Sequence, residues 1–342
     1  MNTAKKWRPF LRCPLCGFGR KCFRGGPGEL KQALWEQIQK TIRADQDVLL
    51  SGLDGAARIY FLHELINQRR GKLLCMVASE EKAYDLANDL RLLLGENKVN
   101  LFLSRDFIFL KENSSLTEVQ RVLTLQELLL HPQRQGIIIT TPGGMLYHIM
   151  SPQEMQERTL TLTPSQDVAI EALLKQLVER GYERVDTVTR PGQMAARGGL
   201  VDVFPAGDKQ PCRIDFFGDT IDVIKHFDIN SQRSQQVIQQ IVIHPCDEIL
   251  TAAATASLLD YLPLHSLVYF DEPRDFYHAL EKQSKRYRDH LAEARKEDKQ
   301  ATALPLLTAE KIRSAVSRQR IIFHSFFAGN IPQVQVGFYK HI

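Results

Sequence analysis

RPGQMAARGGLVDVFPAGDKQPCRIDFFGDTIDVIKHFDINSQR, residues 190–233, reads as strand, turn and strand almost throughout. Within it CRIDFF and TIDVIK flank Gly218-Asp219, and a two-residue loop with Gly first predicts a type II′ hairpin. Counting outward from that loop pairs Phe217 with Thr220, Asp215 with Asp222 and Arg213 with Ile224 on one side. Phe216 with Ile221 and Ile214 with Val223 fall on the other, which reads as core. The first side carries Arg213, Asp215, Phe217 and Asp222. Charges of both signs with one large aromatic ring suit a docking face, because Arg and aromatic side chains give much contact for little lost rotamer freedom. The plainer reading of the same residues is a solvated Arg213–Asp215 pair beside a lone exposed Phe.

Residues on either side have a different rhythm. From residue 28 to about 160, apolar strands (DVLLSG, KLLCMVAS, VNLFLS, GIIITTP) alternate with helical patterns. That alternation predicts an α/β unit, a parallel sheet covered on both faces. A helix is expected at LKQALWEQIQKTI, and a short one at GGMLYHIM after Pro142. Residues 161–246 read as an α+β module. Its one helix, AIEALLKQLVERG, is expected to be capped by Ser165 or Asp167 and closed by Gly181. From 247 to 342 the α/β character returns: LVYFDEP as a buried strand of the first sheet, a charged helix around 281–299, then IIFHSFF as a strand. A small domain inserted into a larger one explains similar patterns on both of its sides.

A strand, a glycine loop and a helix at DVLLSG–GLDGAARI occupy the place of a phosphate-binding loop. Against G-x-x-x-x-G-K-[ST], Gly52 fits, but Ala57 stands for the second Gly, Arg58 for the Lys and Ile59 for the magnesium-binding hydroxyl. Gly55 keeps the turn tight without restoring a metal ligand. Phosphoryl transfer is mainly positioning and charge neutralisation, so losing the Lys and the hydroxyl together predicts no ATP hydrolysis. Asp271 and Glu272 after a buried strand resemble a second magnesium motif, yet acidic residues at sheet ends are common. No other catalytic signature is present, and no cofactor or metal is expected.

The chain has 342 residues, 44% hydrophobic, with a formal charge of +4. Seven cations, Lys5, Lys6, Arg8, Arg12, Arg20, Lys21 and Arg24, precede the first acidic residue, Glu29. The 44 basic residues less these seven leave 37 against 40 acidic ones, so net charge is no argument for nucleic-acid binding. The first 27 residues read as a basic appendage. Cys13, Cys16 and Cys22 open like a zinc ribbon, but a closed site needs a fourth ligand and none lies near. Cys75, Cys212 and Cys246 sit singly in apolar settings, as reduced cysteines of a core do. The absence of an apolar run of membrane-spanning length and of a secretory signal predicts a cytoplasmic protein.

GYERVD (181–186), ARGGLVDVFPAG (196–207), RIDFFGDTID (213–222) and FDINSQRS (227–234) follow, in order, the pattern of the UvrB-interaction domain shared by UvrB and the bacterial transcription-repair coupling factors (Mfd). IITTPGGML (138–146) and LVYFDEP (267–273) resemble the flanking parts of the coupling factors, so the likeness spans residues 30 to about 336. The degenerate phosphate loop is more similar to the coupling factors than to UvrB, which keeps a working one. The resemblance implies a degenerate RecA-like domain carrying an inserted UvrA-binding domain. It puts the UvrA contacts at Arg197, Arg213 and Phe217, with Arg184 and Asp215 as further positions. It also implies that the chain stops at Ile342 before the polymerase-interaction and motor domains, so RNA polymerase would be reached only through parts outside it, and the UvrA face would be open. Two rivals are an ATP-dependent UvrB-type helicase or translocase fragment, and a DNA-binding module touching duplex weakly through the basic tail or the 281–299 helix.

Overall fold

The computed structural model describes residues 48–51, 55–105, 116–248, 254–297 and 303–325. The basic tail with its cysteines, the helix expected at 30–42, and Gly52 lie outside the described residues. Along the chain come β1 (Val48–Ser51), α1 (Gly55–Asn67), β2 (Lys72–Met76), α2 (Glu80–Leu94), β3 (Val99–Phe102), α3 (Leu116–Leu130), β4 (Gly136–Thr140) and α4 (Pro152–Glu157). Local chemistry sets several boundaries. α2 starts where the Ser79 hydroxyl accepts from the Lys82 amide at 3.3 Å, with Glu80 and Glu81 in the first turn favoured by the helix dipole. It stops at Gly95, whose φ of 85° lies in the left-handed region that suits Gly. The short helix expected at GGMLYHIM does not form. Residues 142–145 turn, and Tyr147 and Ile149 make isolated bridges to Leu306 and Ala256.

The inserted module follows: β5 (Leu160–Leu162), α5 (Ile170–Glu179), β6 (Glu183–Arg184), β7 (Gln193–Arg197), β8 (Leu200–Val203), β9 (Cys212–Phe217), β10 (Thr220–Phe227), β11 (Ser234–Ile238) and β12 (Ile241–Ile243). The chain returns through β13 (Leu267–Asp271), α6 (Pro273–Glu297), α7 (Ala309–Val316) and β14 (Arg320–Ser325). The expectation of an α/β fold is met. One sheet, in the order β1-β14-β13-β2-β4-β3, is parallel at every pairing, and the second, β11-β10-β9-β8-β7-β6, is antiparallel except between β6 and β7. The late strands β13 and β14 lie between β1 and β2, so the first sheet is complete only after the insertion has folded back.

The parallel strands β2, β4 and β13 are buried along their whole length, as a sheet covered on both faces requires. Alternate side chains feed two cores. Leu73, Cys75, Ile137, Ile139 and Tyr269 pack with α1 and α2, while Leu74, Met76, Ile138, Val268 and Phe270 pack with α3, α6 and α7. In the insertion, Leu173, Leu174 and Leu177 of α5 meet Met194, Val201, Ile214, Ile221 and Ile224 of the antiparallel sheet. Burying each such side chain contributes about 2 kcal/mol. Neither Ser165 nor Asp167 caps α5. Its N-cap is Ala169, Ser165 takes a φ of 67°, and Asp167 instead accepts the Thr220 hydroxyl at 2.6 Å, tying that turn to the hairpin. β5 and β12 pair antiparallel, so the first and last strands of the module close on each other. A module whose ends meet costs its host little on insertion.

Candidate functional site

The β9–β10 hairpin forms around Gly218-Asp219, with Gly218 at φ 63°. Phe217 pairs with Thr220 and Phe216 with Ile221 as expected, but the register then shifts. Val223 opposes Asp215, Ile224 opposes Ile214 and Lys225 opposes Arg213, leaving Asp222 as the extra residue. The cause is burial. Ile221 and Ile224 are three apart, so strict alternation cannot point both inward, and a bulge at Asp222 lets both reach 0% exposure. The side that faces away from α5 therefore carries Val223 and Lys225 in place of Ile224.

Adjacent to this hairpin, β7 and β8 turn through Gly198-Gly199, and the Phe216 amide donates to the Gly199 carbonyl at 2.8 Å. The two tips are thereby fastened side by side. Pairing across the strands places Arg197, Leu200, Asp215 and Val223 in one row, and Ala195, Asp202, Arg213, Lys225 and Val237 in the next. Phe217 stands at the tip, 85% exposed, with Leu200 at 39% and Val237 at 50%. The other end of this face is covered by a small core of Val188, Ala195, Phe204 and Phe227.

The charges on this face are largely spoken for. Arg213 does not pair with Asp215. Its Nε and Nη2 donate to the two oxygens of Asp202 at 2.7 and 2.8 Å, Nη1 donates to the Gln232 carbonyl at 3.2 Å, and the guanidinium lies 4.8 Å from the Phe227 ring centre. The Asp202 hydrogen bonds raise its pKa further, so it stays a cation throughout. Asp202 sits directly across the ladder, and its fork is the geometry a guanidinium prefers. Asp215 is neutralised by Lys225 at 2.7 Å. Arg197 donates to the Asp186 carbonyl and to the Thr187 hydroxyl, the latter at 2.8 Å. Arg184, on β6, is exposed. Sequence reasoning missed Asp202, Leu200 and Val237, although Asp202 occupies an outward position of LVDV one strand from Arg213.

The second candidate is the phosphate loop. Gly55 opens α1 at φ 49°, Ile59 is buried in the core, and Arg58 turns its guanidinium onto Asp271 at 3.1 Å. Asp271, at the end of β13, also accepts from His324 Nδ1 at 2.5 Å, and His324 stacks on Tyr269 with ring centres 5.7 Å apart. Burial alone would push the Asp271 carboxyl up. The His324 bond and charge, with Arg58, outweigh burial and hold it below the usual range. The carboxylate a magnesium ion would need is therefore occupied by two side chains of the protein. Pro273 is the first residue of α6, where its missing amide proton costs nothing. His324 went unnoticed, though a polar residue inside IIFHSFF was the available signal.

Where the chain leaves the insertion, Asp247 and Glu248 are held to the host by a buried ionic cluster. Glu248, fully buried, accepts from Arg121 Nε at 2.6 Å, and Arg105 reaches Asp247 at 2.6 Å and Glu118 at 2.8 Å. Burial opposes the Glu248 charge, but Arg121 and Arg105 keep its carboxyl below the usual range. Beside it, Gly207 approaches α3 so closely that a Cβ would lie 2.5 Å from Leu123 Cδ2.

Residues 160–248 match the family model for the UvrB interaction domain. The chain is 28% identical over 208 residues to the transcription-repair-coupling factor of Bacillus subtilis, covering 60% of this chain and 17% of that protein. Against the Escherichia coli transcription-repair-coupling factor it is 28% identical over 229 residues, 65% of this chain and 20% of that protein. Against UvrABC system protein B of Thermosipho africanus it is 23% identical over 240 residues, 66% of this chain and 36% of that protein. The chain thus matches well under half the length of these relatives.

Proposed function

We propose that this chain, whose residues 160–248 are a UvrB interaction domain, is a non-catalytic adaptor of transcription-coupled nucleotide excision repair that binds UvrA through that domain. The observation that carries the reading is Phe217. A rigid ring 85% exposed at a tip braced by a second hairpin, with half-exposed Leu200 on the same side, is a preorganised anchor for an apolar pocket. Arg197, in the row of Leu200 and Asp215, is the charged group on the same side, whereas Arg184 falls in the row of Met194, Val203 and Cys212 at the far edge of the sheet. Arg213 acts one step back, holding Asp202 and Phe227 so that β8, β9 and β10 keep their spacing.

The adaptor is read as non-catalytic because the phosphate loop lacks its Lys and hydroxyl while Arg58 and His324 already neutralise Asp271. No helix among the described residues is long and apolar enough to cross a membrane. Binding of the purified chain to UvrA by interferometry tests the proposal. Phe217→Ala is expected to weaken binding by about 30-fold, the effect of losing a hot spot of about 2 kcal/mol, with the thermal midpoint unchanged. Arg197→Glu should weaken it as well. No binding by the folded wild type, or hydrolysis of ATP with magnesium above a heat-inactivated control, would count against this reading.

A further inference from the structure

The parallel sheet has two ends, and the described residues pair their charges differently at each. At the C-terminal ends of the strands, Asp271 accepts from both Arg58 and His324. At the opposite end three turns meet: the one between α1 and β2, the one between α3 and β4, and the one leading into β13. They enclose a cleft of about 160 Å³ over the buried side chains of Leu65, Ile66, Leu73 and Leu267.

Arg69, Arg70, Lys72 and His265 line this cleft, and among the described residues no Asp or Glu does. Lys72 has its own partners, Asn100 Oδ1 at 3.2 Å and Glu127 at 3.6 Å. Arg69 and Arg70 make no side-chain hydrogen bond or ion pair among the described residues. Arg69 is half-buried, and burial together with the neighbouring Arg320 lowers its pKa, the mark of a cation whose charge is not compensated nearby. Hydrogen bonds brace the turn that carries the two guanidiniums. Gln135 Nε2 donates to the carbonyls of Asn67 at 3.2 Å and Arg69 at 2.7 Å, and the Gly71 amide donates to the Gln133 carbonyl at 3.0 Å. Gly71 is required there. Its φ is 83°, and a Cβ would stand 3.0 Å from the Pro132 carbonyl oxygen.

We propose that this cleft binds a phosphate group, with Arg69 and Arg70 as its two guanidinium ligands and His265 at its rim. A carboxylate carries one negative charge and would leave one of these cations uncompensated. Phosphate brings up to two charges and enough oxygens for two forked donors, which is the recognition Arg serves best. The backbone of duplex DNA offers the same oxygens with one charge per phosphate, so there two neighbouring phosphates would meet the two guanidiniums.

The test uses the full chain with two probes: inorganic phosphate by calorimetry, with chloride at equal ionic strength as control, and a labelled random duplex by anisotropy across a salt series. Phosphate binding weakened about tenfold by each of Arg69→Gln and Arg70→Gln, with part retained in Arg69→Lys, identifies a free phosphate site. Duplex binding without phosphate binding, with the salt slope reduced by about one per guanidinium removed, identifies a backbone site. Arg70 is exposed, so Arg70→Gln keeps the experiment readable if Arg69→Gln fails to fold. Failure of both probes to bind the folded wild type, or equal binding by the double variant, overturns the proposal. UvrA binding by the same variants is expected to be unchanged, so the two ideas fail separately.

Discussion

Two residues of one face, Phe217 and Arg213, behave in opposite ways. Phe217 is nearly free of its own fold, so Phe217→Ala should leave stability alone and remove partner affinity. Arg213 is bonded on three sides, to Asp202, the Gln232 carbonyl and the Phe227 ring. Arg213→Ala is therefore expected to destabilise the module by about 1–3 kcal/mol in urea unfolding, because it leaves a half-buried Asp202 without donors. Arg213→Lys should restore little, since an ammonium cannot reproduce the fork. Equal stability of Arg213→Ala and the wild type would show that the Asp202 pair is only a solvated contact.

The β9–β10 hairpin is where an element departs from its simplest reading. Its bulge at Asp222 exists so that Ile221 and Ile224 both enter the core, and Gly218 at φ 63° makes the turn. A Cβ at Gly218 meets nothing within 4 Å, so Gly218→Val isolates the backbone cost of that conformation, about 1–2 kcal/mol. Its effect on UvrA binding should exceed its effect on stability if the tip must be rigid. At the end of β13, Asp271 makes stability depend on pH. Its folded pKa lies below the unfolded value of about 3.9, so its contribution is complete above that value and is lost as pH falls through the lower folded one. Asp271→Asn should flatten the acid limb of a urea–pH series. It should also cost about 3–5 kcal/mol at neutral pH, because Arg58 and His324 lose their shared partner.

For the whole molecule, the insertion is a unit closed by β5 and β12, and it meets its host through α3 and the Arg105–Arg121–Asp247–Glu248 cluster. Breaking a buried ion pair from one side strands the other charge. Glu248→Gln is expected to leave both sheets folded but to lower the cooperativity between them, so that one calorimetric transition broadens or splits. A single sharp transition at an unchanged midpoint would show that α3 packing alone couples the units. The same cluster lies away from the proposed docking face, and none of its residues is on that face.

Much of this was legible from residue order alone. Alternation of strands and helices announced the parallel sheet, Gly218-Asp219 announced the hairpin, and Ala57, Arg58 and Ile59 announced a phosphate loop without its chemical groups, because each of these is set by neighbours in the chain. The bulge was not legible, since Val223 and Ile224 are both apolar and only contact with α5 decides which turns inward. The pairing of Arg213 with Asp202, of Arg58 with Asp271 and of Arg121 with Glu248 was not legible either, because these partners are 11, 213 and 127 positions apart. The basic cleft lies in the same class, drawn from three turns far apart in sequence. Local geometry and hydrophobic period are properties of the order of residues; which charge meets which, and which is left unmet, is settled only when the sheets close.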